Sequence, residues 1–137
     1  MEQKNNTMDF KVEYFKENFV KAIRAGIYGI YVRKDDKDTL LYIGESVFVL
    51  ERCSAHLFEI TKKIGYLGFT EDTLQKLQDI DATLVFKLIE LNENRENRKA
   101  KEKEYIQELE PLMQSQISDR VKPVDEMIRC MENLLNE

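Results

Sequence analysis

Five side chains of this sequence could do chemistry together if the fold brings them to one place. Arg52 offers a planar fork of donors matched to oxyanions. His56 follows four residues later, so the two share a helix face, and an imidazole with an ordinary pKa near ~6.5 can share a proton at neutral pH. Tyr28 and Tyr42 carry phenols with an ordinary pKa near ~10, poor bases in water unless a cation or a neighbour assists them. Glu102 lies four residues before Ile106 on an apolar stripe, a costly place for a carboxylate unless a cation or donors meet it. Singly, each has a plainer reading: a half-buried strand aromatic, a surface pair, a carboxylate matched by Arg98.

The elements that must position these groups follow from hydrophobic periodicity. Val12, Phe15, Phe19 and Ile23 recur at helical spacing and predict one amphipathic helix that caps the core. Gly26 to Val32 and Leu40 to Ile43 are rich in β-branched and aromatic residues, and with the polar run Arg33 to Thr39 between them they predict an antiparallel hairpin. Val49, Cys53, Leu57, Ile60 and Ile64 predict a first core helix ended by Gly65. Thr70 is placed to cap a short helix ending near Asp79. Ala82 to Leu91, apolar on both faces, predicts a third strand covered by helices. A long helix capped by Asn92 or Asn94 runs to about Glu110, where Pro111 stops it. Val124, Met127, Ile128, Met131, Leu134 and Leu135 predict a last helix, its stripe facing the core or, as a second choice, a dimer partner. The expected class is mixed α/β (α+β): a small three-stranded antiparallel sheet flanked by helices, with extra helices at the N- and C-termini.

Composition narrows the function classes. A chain of 137 residues, 42% hydrophobic and 34% charged, suits one core, and seven Phe with six Tyr argue against disorder. The longest apolar stretch, Gly26 to Val32, falls far short of the ~20 residues of a membrane helix. The first residues lack the apolar segment of a secretory signal, so a cytoplasmic location is expected. Cys53 and Cys130 read as reduced packing residues, and a lone histidine excludes a multi-histidine zinc site. Asp35, Asp36 and Asp38 resemble part of a calcium loop but lack its glycine and distal glutamate, so they read as a solvated turn. The net charge of −5 divides into +1 over residues 1–68 and −6 over the remainder, which alone argues against nucleic acid. Yet Arg95 to Lys103 carries a local +3, and a basic strip can exist on an acidic protein.

Taken in order, Gly26-Ile27-Tyr28, Tyr42-Ile43-Gly44, Arg52 and His56, then Glu102 with Ile106 and Pro111, resemble the GIY-YIG nuclease family. Both naming tripeptides are present letter for letter. The resemblance covers residues 26–114, and the strand-strand-helix-strand-helix order fits that family's fold. It implies a nuclease-like domain over 26–114, preceded by a helical extension at 1–25 and followed by an amphipathic helix within 115–137 on the same domain. The implied activity is metal-dependent endonucleolytic hydrolysis of DNA phosphodiesters. Tyr28 and Tyr42 match the tyrosines that orient and deprotonate the attacking water, and Arg52 matches the arginine that holds the scissile phosphate. His56 matches a helix residue that assists proton handling, and Glu102 the ligand of a single divalent ion, Mg²⁺ or Mn²⁺. Gln114 stands where the family usually has Asn, one methylene longer, and Glu45 adds a negative charge where relatives often carry a small polar or basic residue.

The chemistry of these residue types agrees with that assignment. Phosphodiester hydrolysis requires a deprotonated water, a counter to charge on the phosphoryl oxygens and a stabilised leaving alkoxide. DNA is the expected partner, met by Arg52, Arg95, Arg98 and Lys99. With no separate reading module, specificity would come from loops, a homodimer or a recognition partner protein. The acidic C-terminal half, Glu45 and Gln114 motivate a second reading, a catalytically silent module of the same fold that grips nucleic acid or a protein.

Overall fold

The structure, a computed structural model, describes residues 9–115 and 120–137. In chain order its elements are β1 (Lys11–Tyr14), one turn of 3₁₀ helix (Lys21–Ile23), β2 (Gly26–Lys34), β3 (Lys37–Ser46), α1 (Val49–Lys62), α2 (Glu71–Asp79), β4 (Thr83–Leu91), α3 (Arg95–Leu109) and α4 (Val124–Asn136). The four strands form one sheet in the order β1-β4-β2-β3. β2 is antiparallel to both neighbours, whereas β1 runs parallel to β4.

The mixed α/β class agrees with the sequence, but the three-stranded sheet and the N-terminal helix do not. Lys11 to Tyr14 pair with Thr83 to Phe86, and the Phe15 amide then donates to the Phe86 carbonyl at 3.0 Å. Phe15 turns out of the strand with φ of 50° and is 1% exposed, while Phe19 and Ile23 remain about half exposed. The helical spacing misled because a short isolated helix is marginal in water, whereas β4 offers a row of unpaired backbone groups to a neighbouring strand. Edge-on contact of Tyr14 with Phe86, ring centroids 5.2 Å apart, packs the added strand.

The hairpin is longer than its apolar letters suggest. The polar run contributes residues to both strands, and only Asp35 and Asp36 turn, with φ of 53° and 63°. Two successive left-handed residues make the tight turn that matches strand twist, and Asp tolerates that region through local hydrogen bonds. Arg33 sits opposite Asp38 and bonds to it and to Glu13, so its charge is matched within the sheet.

Helix ends follow their local signals. Thr70 and Thr73 cap α2 reciprocally, Asn94 accepts from the Asn97 amide at the start of α3, and α3 closes on a left-handed Glu110 before Pro111. α1 stops at Lys62, so Ile64 lies outside it and is 87% exposed. α4 buries Met127, Met131 and Leu135 and packs on α2. Among the described residues no helix is long and apolar enough to cross a membrane.

The sheet separates two apolar clusters. The larger contains Tyr28, Ile30, Leu41, Cys53, Phe86 and Met131, and the smaller joins Ile27 and Ile43 to Ile106 of α3. Neighbouring strand residues point to opposite faces, so α3 covers the face opposite the one that carries Tyr28. If β1 is a docked strand rather than one face of a helix, Phe15→Ala should cost about 3–5 kcal/mol in urea unfolding, and Phe19→Ala should stay within about 0.5 kcal/mol. Comparable losses at both positions would contradict the strand.

Candidate active site

Regular antiparallel pairing brings the two motif tyrosines to one face. Tyr28 pairs with Gly44, Ile30 with Tyr42 and Tyr31 with Leu40, leaving Leu41 as an extra residue in β3. The bulge lies beyond Tyr42 and turns Leu40 to the face that packs toward α3. Tyr42 lies beside Tyr28, ring centroids 6.4 Å apart. A second irregularity at Ile89 keeps Leu88 on the Tyr28 side of β4 and Glu90 on the α3 side, where Glu90 accepts from the Tyr105 hydroxyl. Gly44 has no side chain for a physical reason: a Cβ there would overlap the Tyr28 ring and hydroxyl.

α1 lays its buried face over these rings. His56, 2% exposed, places its ring 5.0 Å from that of Tyr42 and 5.6 Å from that of Tyr28. Its Nε2 lies 2.8 Å from the Tyr28 hydroxyl and its Nδ1 2.7 Å from the Tyr66 hydroxyl. Arg52, one turn earlier, brings its guanidinium near Tyr28, Tyr42 and Tyr66. Tyr66 is a member that sequence reasoning missed. It sits between Gly65 and Gly68, both at positive φ (87° and 86°), in the turn that returns the chain to the end of α1. The closely spaced glycines were the available signal, since they mark a backbone turn that can aim the intervening side chain.

Burial governs the protonation of this cluster. The Tyr28 phenol is pushed far above its ordinary value by burial, reinforced by Tyr42 and Cys53, and the opposing pull of Arg52 is too small to reverse this. Burial, aided by Arg52, pushes the imidazole of His56 down to about 4. Tyr66 is raised, again chiefly by burial. Partial burial lowers Arg52, but the phenols of Tyr28 and Tyr42 outweigh it and leave the guanidinium more firmly charged. Arg52 alone does not lower the Tyr28 phenol, and burial holds the His56 imidazole below its ordinary value, so at pH 7 both Tyr28 and His56 are neutral.

The cluster opens on a cavity of about 440 Å³ between α1, the Lys63 to Leu67 turn and the start of α4. Tyr42, Arg52, His56 and Tyr66 form its polar wall, and Ile64 and Val124 belong to its apolar wall. Tyr28, 1% exposed, lies behind His56 rather than on the cavity surface. A separate cavity of about 190 Å³ beside Glu13, Arg33 and Lys87 shares no residue with this cluster.

The remaining expected residues lie elsewhere in the fold. Glu102 is in α3, 9% exposed, between Arg98 and Ile106 on the stripe that packs toward β2 and β3, and it does not line the 440 Å³ cavity. Among the described residues no three His, Cys, Asp or Glu side chains gather around a common point. The hard oxygens of Glu102 nevertheless fit Mg²⁺ or Mn²⁺ as a single protein ligand, because such ions keep several waters and take phosphate oxygens. Gln114 is 2% exposed and clamps the middle residue of the second tripeptide: its Oε1 accepts from the Ile43 amide and its Nε2 donates to the Ile43 carbonyl, both at 2.8 Å. Its contact is with sheet backbone, so it positions β3.

The basic strip needs a correction as well. Arg98, 2% exposed, donates Nε to Glu45 at 2.6 Å and Nη1 to the Asn92 carbonyl, which leaves it inside the fold and away from any DNA surface. Lys99 also bonds Glu45, at 3.0 Å, with half its side chain exposed, and Arg95 is exposed. Glu45 therefore faces α3 with its charge matched: burial raises its pKa, and the bonds from Arg98 and Lys99 overcome this to hold it below the ordinary value. Cys53 and Cys130 are both free thiols.

No protein-family model, curated protein or solved structure matches the chain.

The protonation of His56 has a measurable consequence. A histidine whose pKa is depressed in the fold stabilises it above the unfolded value of 6.5, and that contribution is lost as the pH falls through about 4. Urea unfolding across this window should show His56→Gln losing a pH-dependent stability on the order of 3 kcal/mol. A difference between variant and parent that stays constant from pH 7 to pH 4 would contradict the buried neutral imidazole.

Proposed function

We propose that the chain is a metal-dependent endonuclease that hydrolyses DNA phosphodiester bonds at this cleft. The observation that carries the reading is the convergence of Tyr42, Arg52 and His56 on one opening, with Tyr28 directly behind His56, all drawn from three elements. The order from β2 to α3, a strand-strand-helix-strand-helix pattern with the short α2 set before β4, also supports likeness to the GIY-YIG nucleases. In this reading Arg52 holds the scissile phosphate by its fork of donors. Tyr42, the motif tyrosine that lines the cavity, orients the attacking water, while buried Tyr28 and His56 keep Arg52 and Tyr66 in place. The resemblance assigns a single Mg²⁺ or Mn²⁺ to Glu102, which lies on α3 and not on the cavity wall; such an ion would supply positive charge to phosphoryl oxygens. Exposed Arg95 and Lys99, at the start of α3, would add phosphate contacts there. The protein would act in the cytoplasm, with a second copy or a recognition partner supplying specificity.

A specific observation favours a second reading. Tyr28 is buried and held protonated, and Glu102 lies on a helix that covers the other sheet face. A catalytically silent module that binds nucleic acid or a protein would tolerate both.

Supercoiled plasmid with Mg²⁺ separates the two. The nuclease reading expects nicking by the parent protein and losses of about 100-fold or more in Arg52→Ala and Glu102→Ala, the size typical of removing a charge-stabilising group. Tyr42→Phe should be impaired more than Tyr28→Phe. Cutting that survives in Glu102→Ala would overturn the metal assignment. Absent cutting combined with salt-sensitive DNA binding would favour the silent module.

A further inference from the structure

The hydrogen bonds of the cluster have a direction, and it ends at the cavity. The Arg52 guanidinium, which can only donate, lies near the Tyr28 oxygen. The Tyr28 hydroxyl is buried, and its own hydrogen needs an acceptor, which His56 Nε2 supplies at 2.8 Å. A neutral imidazole with Nε2 accepting carries its proton on Nδ1. Nδ1–H then donates to the Tyr66 oxygen at 2.7 Å. The Tyr66 hydrogen is thereby turned away from His56, and Tyr66 lines the cavity.

We propose that Tyr66 is the hydrogen-bond donor that a phosphate oxygen meets on entering the cleft, beside Arg52 and Lys63. This rests on the nucleic-acid reading of the site and adds a residue to it. Lys63 lines the same cavity, with its ammonium 6.0 Å from the centre of the Tyr66 ring and bonded loosely to Glu59 at 3.7 Å. Two cations and a neutral donor held in place match an oxyanion whose charge is spread over several oxygens. The apolar wall at Ile64 and Val124 gives the non-phosphate part of the ligand a surface to rest on. A phosphodiester strand has that mixed character, whereas free phosphate uses only the polar wall. The opposite tautomer would reverse the chain: Tyr66 would donate to Nδ1 and present only lone pairs to the cavity, an arrangement that repels phosphate.

The unaltered protein allows a direct test, because His56 is its only histidine and its ring signals are unambiguous. Long-range ¹⁵N-¹H NMR at pH 7 should show Nδ1 protonated and Nε2 bare. The Nε2-protonated tautomer would overturn the proposal whatever any variant does. A second measurement follows fluorescein-labelled oligothymidylate by anisotropy in EDTA, with inorganic phosphate as competitor. Tyr66→Phe should weaken oligothymidylate binding about tenfold, in line with losing a hydrogen bond to a charged group, and inorganic phosphate should compete only weakly. Unchanged affinity in Tyr66→Phe, or no binding by the parent protein, would also overturn it. Neither readout involves metal or cutting, so bound oligothymidylate without cleavage would remove the nuclease reading alone, and a reversed tautomer would remove this one alone.

Discussion

The hydrogen bond between the buried Tyr28 hydroxyl and His56 Nε2 is the constraint on which the site depends. A hydroxyl and an imidazole taken from water into an apolar core each lose hydration, and the loss is offset only if every donor finds an acceptor. Here it is met by a chain of groups, Tyr28 to His56 to Tyr66, in which each member is satisfied by the next, with Arg52 beside it. Among the described residues no buried side-chain nitrogen or oxygen lacks a partner. Such a chain fixes more than its own atoms. It holds α1 against the hairpin and the glycine turn against α1, so that three successive elements share one geometry.

The sheet is shaped to accept it. Bulges at Leu41 and Ile89 flank β2 on both sides, and each changes which side chains face α1 and which face α3. One face becomes the aromatic and histidine surface, and the other holds Ile27, Ile43 and Ile106 with the Glu45 to Arg98 pair beyond them. Gln114 secures the edge by bonding both backbone groups of Ile43, much as another strand would. The acidic residue after the second tripeptide, which taken alone looks hostile to phosphate, is turned to the α3 side and neutralised there.

Much of this was legible from local signals. Thr70, Asn94 and Pro111 mark helix ends through their own hydrogen bonds and backbone limits, and those ends fall where the letters place them. The hairpin and β4 follow from clusters of β-branched and aromatic residues. What stayed hidden depends on partners far along the chain. Lys11 to Tyr14 become a strand because β4 presents an edge, and nothing in their own spacing says so. The bulges exist only in relation to a neighbouring strand's register. Tyr66 joins the site through a turn rather than a periodic stripe. Arg98 was misread as a DNA contact although the stripe that turns Glu102 inward, continued four residues back, turns Arg98 inward too.

The most direct test of a continuous polar chain is a double-mutant cycle on stability between Tyr28→Phe and Tyr66→Phe. Both hydroxyls bond the same imidazole, one on each ring nitrogen, so each substitution should alter what the other loses. Urea unfolding of the parent, the two single variants and the double variant should give a coupling energy on the order of 1 kcal/mol. Losses that add to within about 0.3 kcal/mol would mean that the two phenols act independently and that the chain is not a unit.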